Sequence, residues 1–201
     1  YDLVLPISKR DLSFFLQNKI FYERFLNFSN LVIISSSGAK ELIKNEKSII
    51  FVNENNLVSK DKIILFLKET RNITIYHAGW YEQQFLKMSY ARLCKNDYYL
   101  IWDADTIKHI NMFKNGIPIF DMKTEHHIPY FNTMKRLIPG LKNANRSYIS
   151  EHMLIKTEFM KKLLDRIEMN SNLSGKYFWQ KIFMAIDLKN INESGFSEYE
   201  T

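Results

Sequence analysis

Short apolar runs alternate with longer amphipathic stretches along the first half of the chain. The runs have the length and the β-branched content of strands, and they lie at 3–7, 31–34, 49–52, 73–76 and 98–102. The stretches between them repeat apolar residues at helical spacing, at 11–28, 60–68 and 79–94. Because parallel strands need crossover connections that are usually helical, this alternation predicts an α/β fold with a mostly parallel, doubly wound sheet flanked by helices.

The pattern changes after residue 106. In chain order, we predict a strand at 117–121, a helix at 129–137, a strand at 147–155 and helices at 157–168 and 176–187. We therefore expect residues 1–106 to form one half of a domain and residues 107–201 a smaller second half. Ser197 and Glu200 match a capping box at a helix start, so we expect the natural chain to continue beyond Thr201.

Four phenylalanines mark one side of the first predicted helix. Phe14, Phe21, Phe25 and Phe28 recur at helical spacing, which places them on one apolar stripe. We expect this stripe to face the sheet, because an amphipathic helix buries its apolar side.

The apolar run at 98–102 ends at two carboxylates. Asp103 and Asp105 flank the small Ala104, and residues i and i+2 at a strand end project to the same side. Two carboxylates that reach one point suit Mg²⁺ or Mn²⁺. An Asp-x-Asp sequence arises by chance roughly 0.4 times in a chain of this composition, so an incidental turn is the alternative. The position at the carboxyl end of a strand, where α/β sheets bind ligands, favours the metal site.

Polar residues interrupt the most apolar of the predicted helices. Residues 79–94 are apolar on most sides, yet they include Gln83, Gln84 and Lys87. Helical spacing puts Lys87 beside both glutamines. Polar groups on a buried helix must be satisfied, so these side chains either line a ligand cleft or form the solvent face of the helix.

Composition narrows the class of protein. The 201 residues are 46% hydrophobic, which is enough for a full core. No apolar run approaches the ~18 residues of a membrane span. The single cysteine, Cys94, excludes an internal disulfide and fits the reducing cytoplasm. Lys and Arg outnumber Asp and Glu by 28 to 22, but they are spread singly and no nucleic-acid-binding motif is visible. We expect no nucleic acid partner.

Four short motifs resemble those of the GT-A-type glycosyltransferases. In chain order they read GWYEQQFLKM at 79–88, YYLIWDADT at 98–106, SEHML at 150–154 and GFSEYE at 195–200. More closely, the chain resembles a little-characterised bacterial group of such sugar transferases, in which a Trp-x-x-Gln-Gln-x-x-Lys helix precedes the Asp-x-Asp strand. The resemblance covers nearly the whole chain, and its specificity lies in the order of the motifs.

The resemblance implies a GT-A-like fold and an enzyme of bacterial surface glycan synthesis, such as lipopolysaccharide or capsule. Residues 1–106 would bind a nucleotide-diphosphate sugar, and residues 107–201 would bind a glycan or lipid-linked glycan whose hydroxyl accepts the sugar. Asp103 and Asp105 would hold Mn²⁺ or Mg²⁺ on the diphosphate of the donor. The residues implied near the nucleotide or along the cleft are Ser8, Trp80, Gln84, Lys87, Asp103 and Ala104.

Transfer to a hydroxyl needs a base within hydrogen-bond reach of the proton. Glu198 is the first candidate, because it would occupy the first turn of the predicted helix that Ser197 would cap, where the helix dipole favours a carboxylate. Inverting GT-A enzymes often carry an acidic residue at such a helix start. Alternatively, Glu198 only complements the dipole. His152 is the second candidate, because histidine titrates near neutral pH, and its alternative is a core residue.

Two other classes stay open. A phosphohydrolase with an Asp-x-Asp-x-Thr motif would use its first Asp as the nucleophile. Here Ile107 stands where that motif has Thr, and such a motif belongs on the first strand of its fold. A non-catalytic binding module would carry the acidic turn for structural reasons alone.

We expect the protein to act on the cytoplasmic side of a membrane, with a peripheral contact through its net charge of +6. The protein should float with vesicles that contain an anionic lipid at low salt and detach as salt is raised, because salt screens surface charge. Vesicles of neutral lipid are the control. Absence of flotation with anionic vesicles at low salt contradicts the contact.

Overall fold

The computed structural model describes residues 1–104, 113–115, 117–119, 128–142 and 152–191. The chain divides into two units. The first comprises the described parts of Tyr1–Ser59, Gln83–Phe120 and Glu151–Met160, and the second those of Lys60–Glu82, Asp121–Ser150 and Lys161–Thr201. Each unit takes segments from both halves of the sequence. The division of donor and acceptor binding between 1–106 and 107–201 stays a prediction.

A five-stranded sheet forms the centre of the first unit. The described strands, in chain order, are β1 (Asp2–Pro6), β2 (Asn30–Ser35), β3 (Ile49–Asn53), β4 (Tyr98–Trp102), β5 (Phe113–Lys114), β6 (Ile117–Pro118) and β7 (His152–Lys156). The sheet has the order β3-β2-β1-β4-β7, while β5 and β6 form a separate pair. Its first four strands are parallel, and β7 runs antiparallel to β4. The predicted α/β fold with a mostly parallel sheet is confirmed.

Helices separate most of these strands. The described α-helices are α1 (Lys9–Phe25), α2 (Lys60–Arg71), α3 (Ala78–Ser89), α4 (Ile128–Leu137), α5 (Thr157–Glu168) and α6 (Phe178–Ala185). Among the described residues, none of the helices has both the length and the apolar character needed to cross a bilayer.

The predicted strand at 73–76 is wrong. Residues 73–76 form no strand and instead connect α2 to α3. Asn72 adopts a φ of 52°, so the chain turns sharply directly after α2. Ile75 is buried, which explains an apolar residue at this point without any strand pairing.

Both faces of the sheet are covered, which is why its central strands are apolar throughout. Leu3 and Trp102 belong to the core that α1 covers. On the opposite face, the Tyr99 hydroxyl donates a hydrogen bond to the carbonyl of Lys87 in α3, with 3.2 Å between the oxygens. Burial raises the pKa of Tyr99, so its hydroxyl keeps the proton that it donates.

The face of α1 that packs on the sheet is not the predicted one, although Phe28 of the predicted stripe, which follows the helix, packs against the core. Leu12, Phe15 and Tyr22 are buried, whereas the side chains of Phe14 and Phe21 are 50% and 38% exposed. Only two residues separate β1 from α1, so the helix returns directly onto the sheet with Leu12 and Phe15 in its first two turns. The helix carries two apolar stripes, and this connection selects the one without Phe14 and Phe21.

Arginine side chains connect the helices of the second unit. Arg71, the last residue of α2, donates hydrogen bonds to the carbonyls of Met184 and Ile186, each at 2.8 Å. Arg136, near the end of α4, donates to the carbonyl of Ala185. These carbonyls lie at the carboxyl end of α6, where backbone acceptors lack helical partners and attract cations. The two arginines therefore hold α2 and α4 against α6.

A buried carboxylate joins four segments at the amino-terminal edge of the sheet. Asp2, the first residue of β1, is buried and accepts hydrogen bonds from the side chains of Asn30 (2.7 Å), Tyr90 (2.8 Å) and Asn96 (2.6 Å). Burial, with the nearby Asp2, raises the pKa of Tyr90, so the phenol remains a donor. The carboxylate thus connects β1 to β2, to the turn after α3 and to the residues before β4.

Replacing Asp2 with Ala should remove the acceptor that these donors share. Each buried donor left without a partner costs about 1–3 kcal/mol, so we expect the free energy of unfolding to fall by about 3 kcal/mol, measured by urea denaturation. Asp97→Ala is the control, because Asp97 is exposed and close by in the chain; it should change stability by no more than about 0.5 kcal/mol. Equal stability of the two variants would mean that the Asp2 network adds nothing.

Candidate functional site

The centre of the sheet contains a reversal of strand order. In the order β3-β2-β1-β4-β7, β2 and β3 lie on one side of β1, while β4 lies on the other. Ligands of open α/β sheets bind at the carboxyl ends of the strands at such a reversal. Ser8 follows β1 and Asp103 follows β4, so both lie at this edge.

Asp103 forms an ion pair with Lys87. The ammonium nitrogen Nζ of Lys87 lies 2.8 Å from Oδ1 of Asp103, and the two side chains are 12% and 29% exposed. Alternation along β4 explains the contact: Tyr99 faces α3, and residues 101 and 103 continue on that side. Asp103 Oδ1 is buried and has no hydrogen-bond partner among the described residues. The contact is therefore an ion pair whose geometry falls short of a well-aligned hydrogen bond.

The polar residues of α3 do not form a solvent face. The Gln84 side chain is 8% exposed, and Lys87 is mostly buried beside Asp103. Burial excludes the solvent-face interpretation for both residues, while their contact with a ligand stays a prediction. Trp80 lies in the second unit, where its ring meets Tyr81 edge to face at 4.9 Å between centroids. Its part in the site also stays a prediction.

Ser8 caps α1. Its hydroxyl donates a hydrogen bond to Oδ2 of Asp11 at 2.7 Å and accepts one from the Asp11 backbone N–H at 3.2 Å. Arg10 binds the same carboxylate, and hydrogen bonds from Arg10 first and then Ser8 lower the pKa of Asp11. Ser8 is exposed. In the structure Ser8 therefore satisfies the helix start, and a contact with nucleotide stays a prediction.

Tyr22 of α1 holds the turn that follows Asp103. Its hydroxyl donates to the carbonyl of Ala104 at 3.2 Å, and its ring meets Trp102 edge to face. Ala104 itself packs against the core under α1. Tyr22 is not among the site residues predicted from the sequence. A signal was available, because Tyr22 lies seven residues after the buried Phe15, and a buried tyrosine needs a partner for its hydroxyl.

His152 lies at the same edge of the sheet as Asp103. It is the first residue of β7 and pairs with Trp102, the last residue of β4, because these strands are antiparallel. The two rings are 5.1 Å apart with 33° between their planes, and His152 is buried. The packing fits a core residue, because the ring stacks on Trp102 on the face of the sheet opposite to Asp103. A role as a base stays a prediction.

Only part of the predicted metal site falls within the described residues. Asp105 and Glu198 lie outside the described residues. Among the residues that are described, no cluster of three or more His, Cys, Asp or Glu side chains could hold a metal. Asp103 fits a cation, because its buried Oδ1 already attracts the ammonium of Lys87 and has no hydrogen bond there.

The carboxyl ends of β2 and β3 extend this polar edge. Asn53, the last residue of β3, donates a side-chain hydrogen bond to the Ser37 hydroxyl at 2.7 Å. Ser37 follows β2 by two residues. Polar side chains thus follow every strand of the sheet that ends at this edge.

Comparison with known proteins gives a family without an assigned activity. A family model described as "Family of unknown function (DUF6492)" matches residues 8–200. No curated protein matches the chain. Solved structures with a similar fold include the galactosyltransferase LgtC in complex with donor and acceptor sugar analogues, with 11% identity, a TM-score of 0.47, and coverage of 92% of this chain and 70% of that one. At this identity and score the likeness carries no functional conclusion. Since the family model covers nearly the whole chain, from the cap of α1 to the far side of α6, the protein belongs to the DUF6492 family.

Proposed function

We propose that this protein is a metal-dependent glycosyltransferase of the GT-A type. It moves a sugar from a nucleotide-diphosphate sugar to a hydroxyl of a glycan or lipid-linked glycan. The observation that carries the proposal is the Lys87–Asp103 ion pair at the carboxyl edge of the sheet, where the strand order reverses. The pair offers a carboxylate for a cation and an ammonium for an anion side by side, as a metal-bound diphosphate requires. The motifs shared with GT-A enzymes support a sugar donor.

Asp103 and Asp105 are the proposed ligands of Mn²⁺ or Mg²⁺. A bound divalent ion supplies Lewis-acid stabilisation of the negative charge on a leaving diphosphate. Lys87 adds a second positive charge beside it. Tyr22 supports the arrangement by holding the carbonyl of Ala104 directly after Asp103, and the buried Gln84 provides an amide for the donor.

The transfer exchanges two bonds at the anomeric carbon of the sugar. The bond to the diphosphate oxygen breaks, the bond to the acceptor oxygen forms, and the proton of the acceptor hydroxyl passes to a base. Glu198 and His152 are the candidate bases in an inverting reaction. His152 begins the strand next to β4 at the same edge of the sheet, although its ring stacks on Trp102 on the face opposite to Asp103. The proposal leaves inversion and retention of the anomeric configuration as outcomes of experiment.

The phosphohydrolase alternative has less support. Its nucleophilic Asp belongs on the first strand of the fold, whereas Asp103 follows the fourth strand of this chain and the first strand leads into Ser8. We further propose that the enzyme works in bacterial surface glycan synthesis at the cytoplasmic side of the membrane.

Donor binding should depend on both the metal and Asp105. With UDP-, GDP-, CMP- and ADP-sugars as probes, we expect Mn²⁺-dependent thermal stabilisation by the sugars of one base, because a ligand that binds only the folded state raises its stability. Asp105→Asn should abolish this stabilisation and leave the unfolding temperature without ligand unchanged. Asp97→Asn is the matched control. Metal-dependent donor binding by Asp105→Asn would refute the metal site. Stabilisation by orthovanadate but not by any nucleotide sugar would favour a phosphohydrolase. Stabilisation by neither orthovanadate nor a nucleotide sugar would favour a binding module.

A base should affect transfer without affecting donor binding. We expect Glu198→Gln or His152→Gln, made in the full-length protein, to lower the transfer rate by a factor of about 100 while the dissociation constant of the donor is retained. Rates are measured with saturating donor, and binding is measured separately by calorimetry. Near-normal transfer in both variants would remove both residues from the mechanism and indicate a retaining reaction.

A further inference from the structure

The Lys87 ammonium lies where a metal ion would bind to Asp103. Its nitrogen is 2.8 Å from Oδ1, and a divalent ion would bind a carboxylate oxygen at about 2.0–2.6 Å. A divalent ion and an ammonium on the same buried oxygen would lie within about 4 Å of each other, where like charges repel strongly. The two cations therefore compete for Oδ1.

We propose that Lys87 is a built-in counter-cation that competes with the metal for Asp103 and moves to the diphosphate when metal and donor bind. The proposal rests on the proposed function and deepens it. Lys87 then has two partners in turn: the Asp103 carboxylate in the empty site and the anionic diphosphate in the loaded site. In each state a mostly buried ammonium has a negative partner, which avoids the cost of an unpaired buried charge.

The contacts of α3 allow this exchange without backbone movement. The carbonyl of Lys87 accepts the hydrogen bond from the buried Tyr99 hydroxyl, which ties this turn of the helix to β4. The ammonium stands at the end of four methylene groups and has no hydrogen bond of good geometry to Asp103 Oδ1. Only the side chain has to rotate.

The exchange predicts positive coupling between metal and diphosphate. While Lys87 occupies Oδ1, the metal binds weakly. A diphosphate that attracts Lys87 frees the oxygen, and by linkage the metal strengthens diphosphate binding by the same factor. Removing the ammonium should therefore have opposite effects on the two affinities. A lysine that only helps the fold would not produce opposite signs.

Calorimetric titration of Mn²⁺ and then inorganic pyrophosphate tests the opposite signs. We expect Lys87→Met to bind Mn²⁺ alone about tenfold more tightly and, with Mn²⁺ present, to bind pyrophosphate about tenfold more weakly, the size of one hydrogen bond to a charged group. Lys87→Arg keeps a cation and should stay near wild type in Mn²⁺ affinity. Lys19→Met is the matched control, because Lys19 is also mostly buried, at 16% exposure, and ion-paired, 2.7 Å from Glu46; it should change neither affinity.

Chemical labelling of the wild-type protein tests the movement itself and needs no variant. The extent of reductive methylation of Lys87, measured by mass spectrometry, should rise when Mn²⁺ is added, because the ammonium leaves its buried partner. It should fall again when pyrophosphate is added. Labelling of Lys19 should stay constant throughout.

The outcomes separate this inference from the proposed function. Unchanged or weaker Mn²⁺ binding by Lys87→Met, or labelling of Lys87 that does not respond to Mn²⁺, overturns the exchange, while metal-dependent stabilisation by a nucleotide sugar would still support the glycosyltransferase. If the wild-type protein binds neither Mn²⁺, with or without pyrophosphate, nor any nucleotide sugar, the Lys87 exchange and the glycosyltransferase function are both refuted. If Lys87→Met does not fold, Lys87→Gln takes its place in the titration, and the labelling experiment stands independently.

Discussion

The pairing of β1 with β4, buried on both faces, is the constraint on which the first unit depends. Val4 lies opposite Ile101 in this pair, and helices cover the side chains above and below. A parallel pair with this register has both carboxyl ends at one edge and both amino ends at the other. The residues that enter and leave β1 and β4 are therefore brought together in fixed positions, with Asp2 at one of these edges and Asp103 at the other.

The carboxylates at the two edges of the sheet have different partners. Asp2 is buried among neutral donors that satisfy it, so it joins segments of the fold and has no capacity left for a ligand. Asp103 has an ammonium beside it, and its buried Oδ1 has no well-aligned hydrogen bond within the part of the chain that the structure describes. A buried charge without full hydrogen bonding is costly, and such groups persist where they serve a ligand. This contrast is the physical reason for treating Asp103, and not Asp2, as the functional carboxylate.

The ion pair also explains why an apolar helix carries a lysine. Lys87 lies on the part of α3 that covers β4, and its burial would be unfavourable without Asp103. A glutamine or an apolar residue would satisfy the packing of the helix, but neither would neutralise the carboxylate. The fold thus tolerates two charges at the edge of its core because each neutralises the other.

The spacing of apolar residues along the chain predicted much of the fold, because it reflects which side chains are buried. The strand at 98–102 and the helix that ends at Glu168 have the bounds expected from apolar periodicity, and β1 to β3 differ from expectation by one residue at their ends. The errors arose where periodicity allowed two answers. The prediction for α1 was wrong because the helix has two apolar sides. The short connection from β1 places the side with Leu12 and Phe15 against the sheet. The strand predicted at 73–76 failed because Ile75 is buried without a pairing partner.

The sequence by itself determined that a carboxylate ends a buried strand and that polar residues interrupt an apolar helix, since both facts follow from short-range order along the chain. Only the tertiary structure decided that these features meet. Lys87 and Asp103 are sixteen residues apart in the sequence, and Tyr22 and His152 are farther still from the acidic motif. Their contacts depend on strand order, register and the face that each helix presents to the sheet. Those quantities arise from packing between distant segments, which no local pattern records.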